Sequence, residues 1–292
     1  MKEKKWIMSR VFVVLLCVSI LFALAACGTS QGGNNGDDVP ENSSIGNTDV
    51  AENDLVDEVS NVDFDYSKPD GTKVTIIDAV QGQRYLIADM YIDFANSEYL
   101  NGAVLNATVP ATCKSTKLLD VGSGGGQLKV KGAQEGAMPE SKLCGISDNA
   151  ALEDFINGKR KITKGGFFEN KNECIISEDL AKHASLSIGD TMTFENITLG
   201  GNGKPIVYEL EIVGIYSDKT EKYTSPYPIP YFNRRNEIIT GFDTIMDAEN
   251  AESGTGVMME VDYYLKDINT ISDFEKELRT KGMPSDFSVI KS

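Results

Sequence analysis

Histidine is almost missing from this chain: His183 is the single one in 292 residues. Its scarcity removes most zinc, haem and histidine-base chemistry, because each needs at least one placed imidazole. With no H-E-x-x-H, no nucleophile comes with an identifiable base, and the chain reads as a non-enzyme without a cofactor or metal. Positive charge is also short. Lys and Arg number 28 against 44 Asp and Glu, a net charge of −16, and that sign argues against a nucleic-acid surface, which needs clustered cations. Five cysteines are too few to form the dense framework of a small secreted scaffold. No D-x-D-x-D-G loop marks a calcium site. The glycine run 122–126 lacks the Lys-Ser/Thr pair and the following helix of a phosphate cradle, so it reads as a surface turn. His183, after a helical stretch, reads as a surface residue.

Long apolar runs are absent but for one, and that one is at the amino end. Lys2, Lys4, Lys5 and Arg10 precede an almost unbroken apolar run over 11–26 that ends Leu24-Ala25-Ala26-Cys27-Gly28. These are the proportions of a secretory signal, and the run falls short of the roughly 20 residues of a spanning helix. The ending resembles the lipobox of bacterial lipoproteins. By that resemblance Cys27 carries a diacylglyceryl group, and the expected location is the extracytoplasmic face of the cell membrane, held by lipid. Residues 28–67 hold ten acids and no base and little that could form a core, so they read as an acidic tether. Within it, Leu55-Val56-Asp57-Glu58-Val59 reads as a turn, a docking segment or simply linker. Residues 68–292 are enough to bury a sizeable core.

That remainder has the pattern of a mixed α/β domain. Residues 73–80 are rich in Ile and Val as strands are, whereas 84–94 fits strand or helix equally. Short helices are expected after Asp148 or Asn149 with a stop at Gly158, after Ser177, and after Thr270 with a stop at Gly282. Strands are expected at 173–176, 191–194, 206–212, 258–265 and 287–290. In 206–212 the apolar Ile206, Tyr208, Leu210 and Ile212 alternate with outward Glu209 and Glu211.

Several of these segments carry a family likeness. Gly165-Gly166-Phe167-Phe168, then 173–181, 186–194 and 208–216, and the closing Val261-Asp262-Tyr263-Tyr264-Leu265-Lys266-Asp267 resemble the MacB-like periplasmic core domain, the extracytoplasmic insert of FtsX-type ABC transporter permeases. The likeness is clear over 143–290 and weak over 73–139. It implies an α+β fold with a mixed α/β porter-like portion built from both ends and an inserted β-rich portion from the middle. In the family this module passes ATP-driven motion to substrates or partners and is not itself a catalyst. The departures are the lipobox where the family has its first membrane helix and the lack of a later run near 18 apolar residues. The chain therefore reads as a lipid-anchored, stand-alone copy of the domain, or as a truncated permease.

Two sets of site residues follow. Cys113, Cys144 and Cys174 would meet an oxidising exterior; Cys174 stands at what is usually an apolar strand position, so Cys113 with Cys144 is the expected pair. The segment 223–235, Tyr-Thr-Ser-Pro-Tyr-Pro-Ile-Pro-Tyr-Phe-Asn-Arg-Arg, has prolines at alternate positions, which favour an extended arm. Tyr227, Tyr231, Phe232, Arg234 and Arg235 on it are types enriched at interfaces. The arm is the expected contact with an ABC permease or an exported substrate, unless its aromatics pack over the domain's own core. The competing expectation is a lipoprotein that captures an extracellular ligand in a concave aromatic pocket.

Overall fold

The computed structural model describes residues 67–80, 86–122, 138–226, 228–252 and 256–292. The signal, Cys27, nearly all of the acidic tether, most of the glycine run and Tyr227 lie outside the described residues. Ten strands are described: β1 (Thr72–Asp78), β2 (Leu100–Cys113), β3 (Ser141–Ile146), β4 (Arg160–Gly165), β5 (Glu173–Ser177), β6 (Thr191–Leu199), β7 (Pro205–Asp218), β8 (Ile238–Gly241), β9 (Met258–Leu265) and β10 (Phe287–Lys291). Five α-helices accompany them: α1 (Ala88–Phe94), α2 (Glu153–Ile156), α3 (Glu178–Ala184), α4 (Phe242–Ala251) and α5 (Ile271–Thr280). The fold is α+β on one mixed sheet ordered β10-β1-β9-β2-β3-β8-β5-β7-β4, with β6 pairing both β2 and β7.

That double pairing of β6 closes six strands, β2-β3-β8-β5-β7-β6, into a ring. Within the ring no strand has a free edge, which is how a sheet of this size avoids exposed backbone groups. Two long strands make it possible. One flank of β2 pairs β9 along 100–108 and then β6 along 111–113. Pro110 sits at that change of neighbour. The carbonyls of Leu105 and Ala111 face the β3 side, accepting from Ser147 and Glu140, so the position of Pro110's missing N–H faces the gap between β9 and β6, where it costs no ladder bond.

Local chemistry explains the regular elements. In β7, Ile206, Tyr208, Leu210 and Ile212 are buried while Val207, Glu209 and Glu211 are exposed, the alternation of a strand with one dry face. Ser177 caps α3, its Oγ accepting from Leu180 N–H (3.1 Å), with Glu178 and Asp179 in the first turn and Ser185 in the left-handed region at the end. The ambiguous 84–94 resolves as α1, which buries Tyr91 and Phe94 three residues apart on one face. After Asp148, a 3₁₀ turn (Asn149–Ala151) and the single turn of α2 replace one longer helix. In place of a Thr270 cap, Asp267 caps a 3₁₀ turn leading into α5.

The main core lies inside the ring and continues under α1 and α5, with Val109, Leu143, Ile176, Phe194, Leu210 and Phe274 among its members. A second, smaller core is packed outside the ring around Phe155, Phe167, Ile175, Tyr216 and Ile239. The sheet path ends at β10 and β4. The outer edge of β10 is capped by side chains of α5, with Glu275 accepting from Val289 N–H (3.2 Å) and Arg279 donating to the Phe287 carbonyl. No described strand lies along the outer edge of β4.

Cys113 and Cys144 do not form the expected disulfide: both are free thiols, as is Cys174. Cys144 faces Thr108 across the β2/β3 ladder, five residues from Cys113. At about 3.3 Å per residue the two lie roughly 16 Å apart along β2, well beyond the reach of a disulfide.

Candidate functional site

The segment expected to be an extended arm is folded onto its own domain. Pro230 opens a 3₁₀ turn (Pro230–Phe232), Arg234–Asn236 forms a second, and an isolated bridge joins Tyr223 to Asn233. Thr224 N–H donates to the Phe232 carbonyl (2.9 Å) and Arg234 N–H to that of Lys222 (2.8 Å), so the segment closes into a loop between β7 and β8. Alternating prolines exclude a long helix but admit short turns, since proline's fixed φ suits the first position of a helical turn.

Three polar clusters hold this loop, two of them buried and the one at Asp120 half-buried, and none is evident from local sequence. Asn236 is fully buried. Its Oδ1 accepts from Leu119 N–H (3.1 Å) and its Nδ2 donates to the carbonyls of Leu119 (3.0 Å) and Pro230 (3.1 Å). Asp120 accepts from Tyr223 Oη (2.7 Å), Asn233 Nδ2 (2.7 Å) and Lys222 Nζ (3.2 Å). Burial by itself would raise the Asp120 pKa, but the bonds from Tyr223, Lys222 and Asn233 hold it below the ordinary carboxylate value.

In the third cluster Arg160, 5% exposed, spans Asp218 (3.0 Å) and Glu237 (2.6 Å) and lies over the Tyr216 ring at 5.1 Å. Burial opposes its charge, yet Tyr216, Glu237 and Asp218 together push its pKa up. Arg235, expected at the partner surface, is buried instead. Its guanidinium donates to the carbonyls of Asp218 (3.0 Å) and Thr220 (2.7 Å) and to Thr220 Oγ1 (3.1 Å), while its own carbonyl accepts from Ser177 Oγ (2.7 Å). The Arg235 contacts are those of a clamp on the loop's first residues, because a guanidinium can satisfy several carbonyls at once. Arg234 is half-buried and paired with Asp154 of α2.

The loop presents Tyr231 and Phe232. Both are half-buried, their rings edge to face at 5.4 Å, with Lys142 Nζ 5.3 Å from the Tyr231 ring centre. The structure thus brings Tyr231 and Phe232 together, turns Arg234 to Asp154, removes Arg235 to the interior, and adds Lys142 of β3, which sequence spacing could not place.

An open cleft of about 600 Å³ lies where the parallel strands β3 and β8 end, lined by Ser147, Asp148, Phe168, Lys171, Gly241 and Asp243 among others. Two of its charged groups are engaged: Asp148 accepts from Ala150 N–H (2.7 Å) and Lys171 pairs with Asp247. Among the described residues no group of three His, Cys, Asp or Glu is placed to hold a metal ion. Among the same residues no helix is long and apolar enough to cross a membrane.

No family model matches the chain. In sequence it is similar to an uncharacterized ABC transporter permease, YclI, of Bacillus subtilis (strain 168), with 24% identity over 160 residues. The match takes in 53% of this chain and 32% of the relative, so the chain spans about a third of that permease's length. Solved structures with similar folds include the periplasmic region of MacB from Actinobacillus actinomycetemcomitans (11% identity, TM-score 0.40, covering 75% of this chain and 88% of that one). Another is the extracellular domain of the noncanonic ABC-type transporter YknZ from Gram-positive bacteria (12%, TM-score 0.41, 76% and 100%). A third is a domain of a putative permease protein from Porphyromonas gingivalis (12%, TM-score 0.37, 79% and 93%).

Proposed function

We propose that this protein is an extracytoplasmic interaction module of an ABC transporter system, held at the membrane by lipid on Cys27, which engages a permease or an exported substrate and catalyses no reaction. The supporting observation is the sequence relation to a permease over 160 residues, joined to a surface on which Tyr231 and Phe232 are held by a closed loop. A loop fixed by Asp120, Arg235 and Asn236 loses little entropy on docking, so its aromatic pair can contribute binding energy rather than spend it on ordering. The main cleft is open and predominantly polar in its lining, which favours a contact surface over an enclosed small-molecule site.

The test is crosslinking of the tagged full-length protein in membranes, followed by detergent purification and mass spectrometry, for wild type and for Tyr231→Ala/Phe232→Ala. Capture of an ABC permease or its ATPase by the wild type, lost in the double variant while its circular dichroism and melting are kept, is the expected result. Absence of any transporter component from both samples would sink the proposal and leave the ligand-capturing lipoprotein as the reading to pursue. Metabolic labelling with an alkynyl fatty acid, abolished by Cys27→Ala, checks the anchor.

A further inference from the structure

The ladder between β4 and β7 sorts charge by face. Arg160 stands opposite Asp218 and Ile162 opposite Tyr216. This face turns to the second core, where Ile162 packs and Arg160 bonds Asp218 and Glu237. Lys161 stands opposite Ser217, and the same register places Lys159 opposite Lys219, whose N–H donates to the Lys159 carbonyl (2.8 Å). Directly opposed residues project to one face, and neighbours along a strand to the other, so Lys159, Lys161 and Lys219 share the face away from Asp218. Lys164, three residues after Lys161, would point the other way in a regular strand. The bulge at Thr163 sets it opposite Ile215, two positions from Ser217, and so returns it to the face of the other three.

All four lysines are exposed. None makes an ion pair among the described residues, in a protein with 44 acids against 28 bases. Asp218, the acid next to Lys219, is engaged by Arg160 on the opposite face. An exposed isoleucine stands at each end of the strand. Ile156, 42% exposed, closes α2 three residues before Lys159, and Ile188, 43% exposed, has its Cδ1 against Gly165.

We infer that this face of β4 rests on an anionic phospholipid surface, with Lys159, Lys161, Lys164 and Lys219 over the headgroup phosphates and Ile156 and Ile188 at the margins of the contact. The lysines follow one another at about 7 Å along the strand and none lines the main cleft, an arrangement that matches a plane of charge better than a single bound anion. Addition of an acidic strand from a partner is disfavoured, because the bulge interrupts the outer edge of β4 and lysines guard it. Attraction to lipid phosphates and shallow burial of apolar side chains act together at such a surface. The contact would hold the domain in one orientation on the bilayer. This inference goes beyond the transporter reading: it uses no residue of the 223–235 loop, and lipid on Cys27 would bring the face to a bilayer without being needed for the contact.

Acylation of lysines by a succinimidyl ester, read by mass spectrometry, tests it on the full-length protein. The protein is mixed with vesicles of phosphatidylcholine alone or of equal parts phosphatidylcholine and phosphatidylglycerol. At low salt the four lysines are expected to react at least about fivefold more slowly with the anionic vesicles than with the neutral ones, because contact covers the amines and the surface potential keeps them protonated. Lys276 and Lys291, exposed on α5 and β10 at the opposite end of the sheet, should react equally with both. About 1 M salt, where screening acts within about 3 Å, should erase the difference. Lys161→Glu/Lys164→Glu should release Lys159 and Lys219 to the neutral-vesicle rate, and Lys161→Gln/Lys164→Gln should release them in part, with unchanged melting reporting an intact fold. Equal rates with the two vesicles, or slowing that extends equally to Lys276 and Lys291, would overturn the inference. Slowing without vesicles that grows with protein concentration would overturn it in favour of a second copy of the chain. Slowing by a polyglutamate peptide but not by anionic vesicles would overturn it in favour of an acidic polypeptide. Sedimentation with the neutral vesicles reports attachment through the amino-terminal region separately, so failure of the anchor is told apart from failure of this contact.

Discussion

Glu275 and Arg279, one turn apart on α5, share the free edge of the last strand between them. Glu275 Oε2 accepts from the Val289 amide (3.2 Å), Arg279 donates to the Phe287 carbonyl, and the two side chains bond each other at 2.7 Å. The spacing that makes them an ordinary i,i+4 pair on a helix also sets them over alternate residues of β10. Side chains here do what a neighbouring strand does elsewhere in the sheet.

Replacing both by alanine therefore exposes an edge as well as deleting an ion pair. Glu275→Ala/Arg279→Ala is expected to cost about 1.5–3 kcal/mol, the range for hydrogen bonds to charged groups, and to bring concentration-dependent self-association. Urea unfolding and sedimentation velocity check the two effects. A double variant that is destabilised but strictly monomeric would show that the pair holds α5 without guarding the edge.

Arg160 is the keystone of the loop between β7 and β8. Arg160→Met removes the cation that bonds both Asp218 and Glu237 and leaves only the longer contacts of Arg235 with Asp218 (3.5 Å) and of Arg234 with Glu237 (3.6 Å), so a loss of about 3 kcal/mol, the low end for a broken buried pair, is expected. Arg160→Lys should recover only part of it, because an ammonium cannot span two carboxylates while stacking on Tyr216. Equilibrium unfolding of the two variants gives the comparison, and equal stability of lysine and arginine at this position would contradict the geometry.

Stability should depend on pH in two opposed steps. Glu249 is buried, its Oε1 accepting from Asn196 Nδ2 (2.7 Å) and Tyr208 Oη and its Oε2 without a partner among the described residues. Burial raises its pKa despite those bonds. The folded state then holds a proton that the unfolded state has released, so stability rises as pH falls from neutrality through the raised value. Asp120 and Asp218 are held below the ordinary carboxylate value: burial opposes this, but hydrogen bonds from Tyr223 and Lys222 to Asp120, and from Thr220 together with the Arg160 charge to Asp218, outweigh it. Their contribution is present above the unfolded carboxylate pKa, near 4, and is lost as pH falls through the lower folded values. A melting temperature that passes through a maximum on the acid side of neutrality is expected, and Glu249→Gln should flatten only its neutral limb.

Burial also decides the thiols. Burial is the main cause raising the Cys144 pKa to about 12, and Cys174 is pushed up by burial as well. Since the thiolate is the reacting form, iodoacetamide at pH 8 should leave both essentially unmodified in the folded protein and label them on unfolding. Mild oxidation should produce no Cys113–Cys144 bridge; a peptide carrying it would require β2 and β3 to separate.

β7 and β9 declare themselves by alternation, and α3 by the Ser177 cap and its acidic first turn, because those signals need only neighbours in sequence. β2 carries no such signal, because its flank changes partner from β9 to β6 and its first half, with Asn101 and Gly102, lacks a clean period. β8 has four residues, too few to show a period at all, and α4 follows it with Gly241 at the cap and no side-chain signal.

The interface residues show the same division more sharply. Tyr231, Phe232, Arg234 and Arg235 are adjacent in sequence and of similar interface propensity, yet two present a surface, one pairs with α2, and one is buried among carbonyls. Nothing within the segment distinguishes Arg234 from Arg235; the difference is made by Asp154, about eighty residues earlier, and by the turn at Asp218–Thr220.

The sequence by itself determined the class of fold, the acidic amino-terminal region and six of the ten described strands, β1, β5, β6, β7, β9 and β10, because apolar period, caps and charge are local properties. The ring of six strands, the separation of Cys113 from Cys144 and the closure of the 223–235 loop were decided only by tertiary structure. Each depends on residues far apart in the chain meeting at one register, and register is fixed by the packing of the whole core rather than by any segment of it.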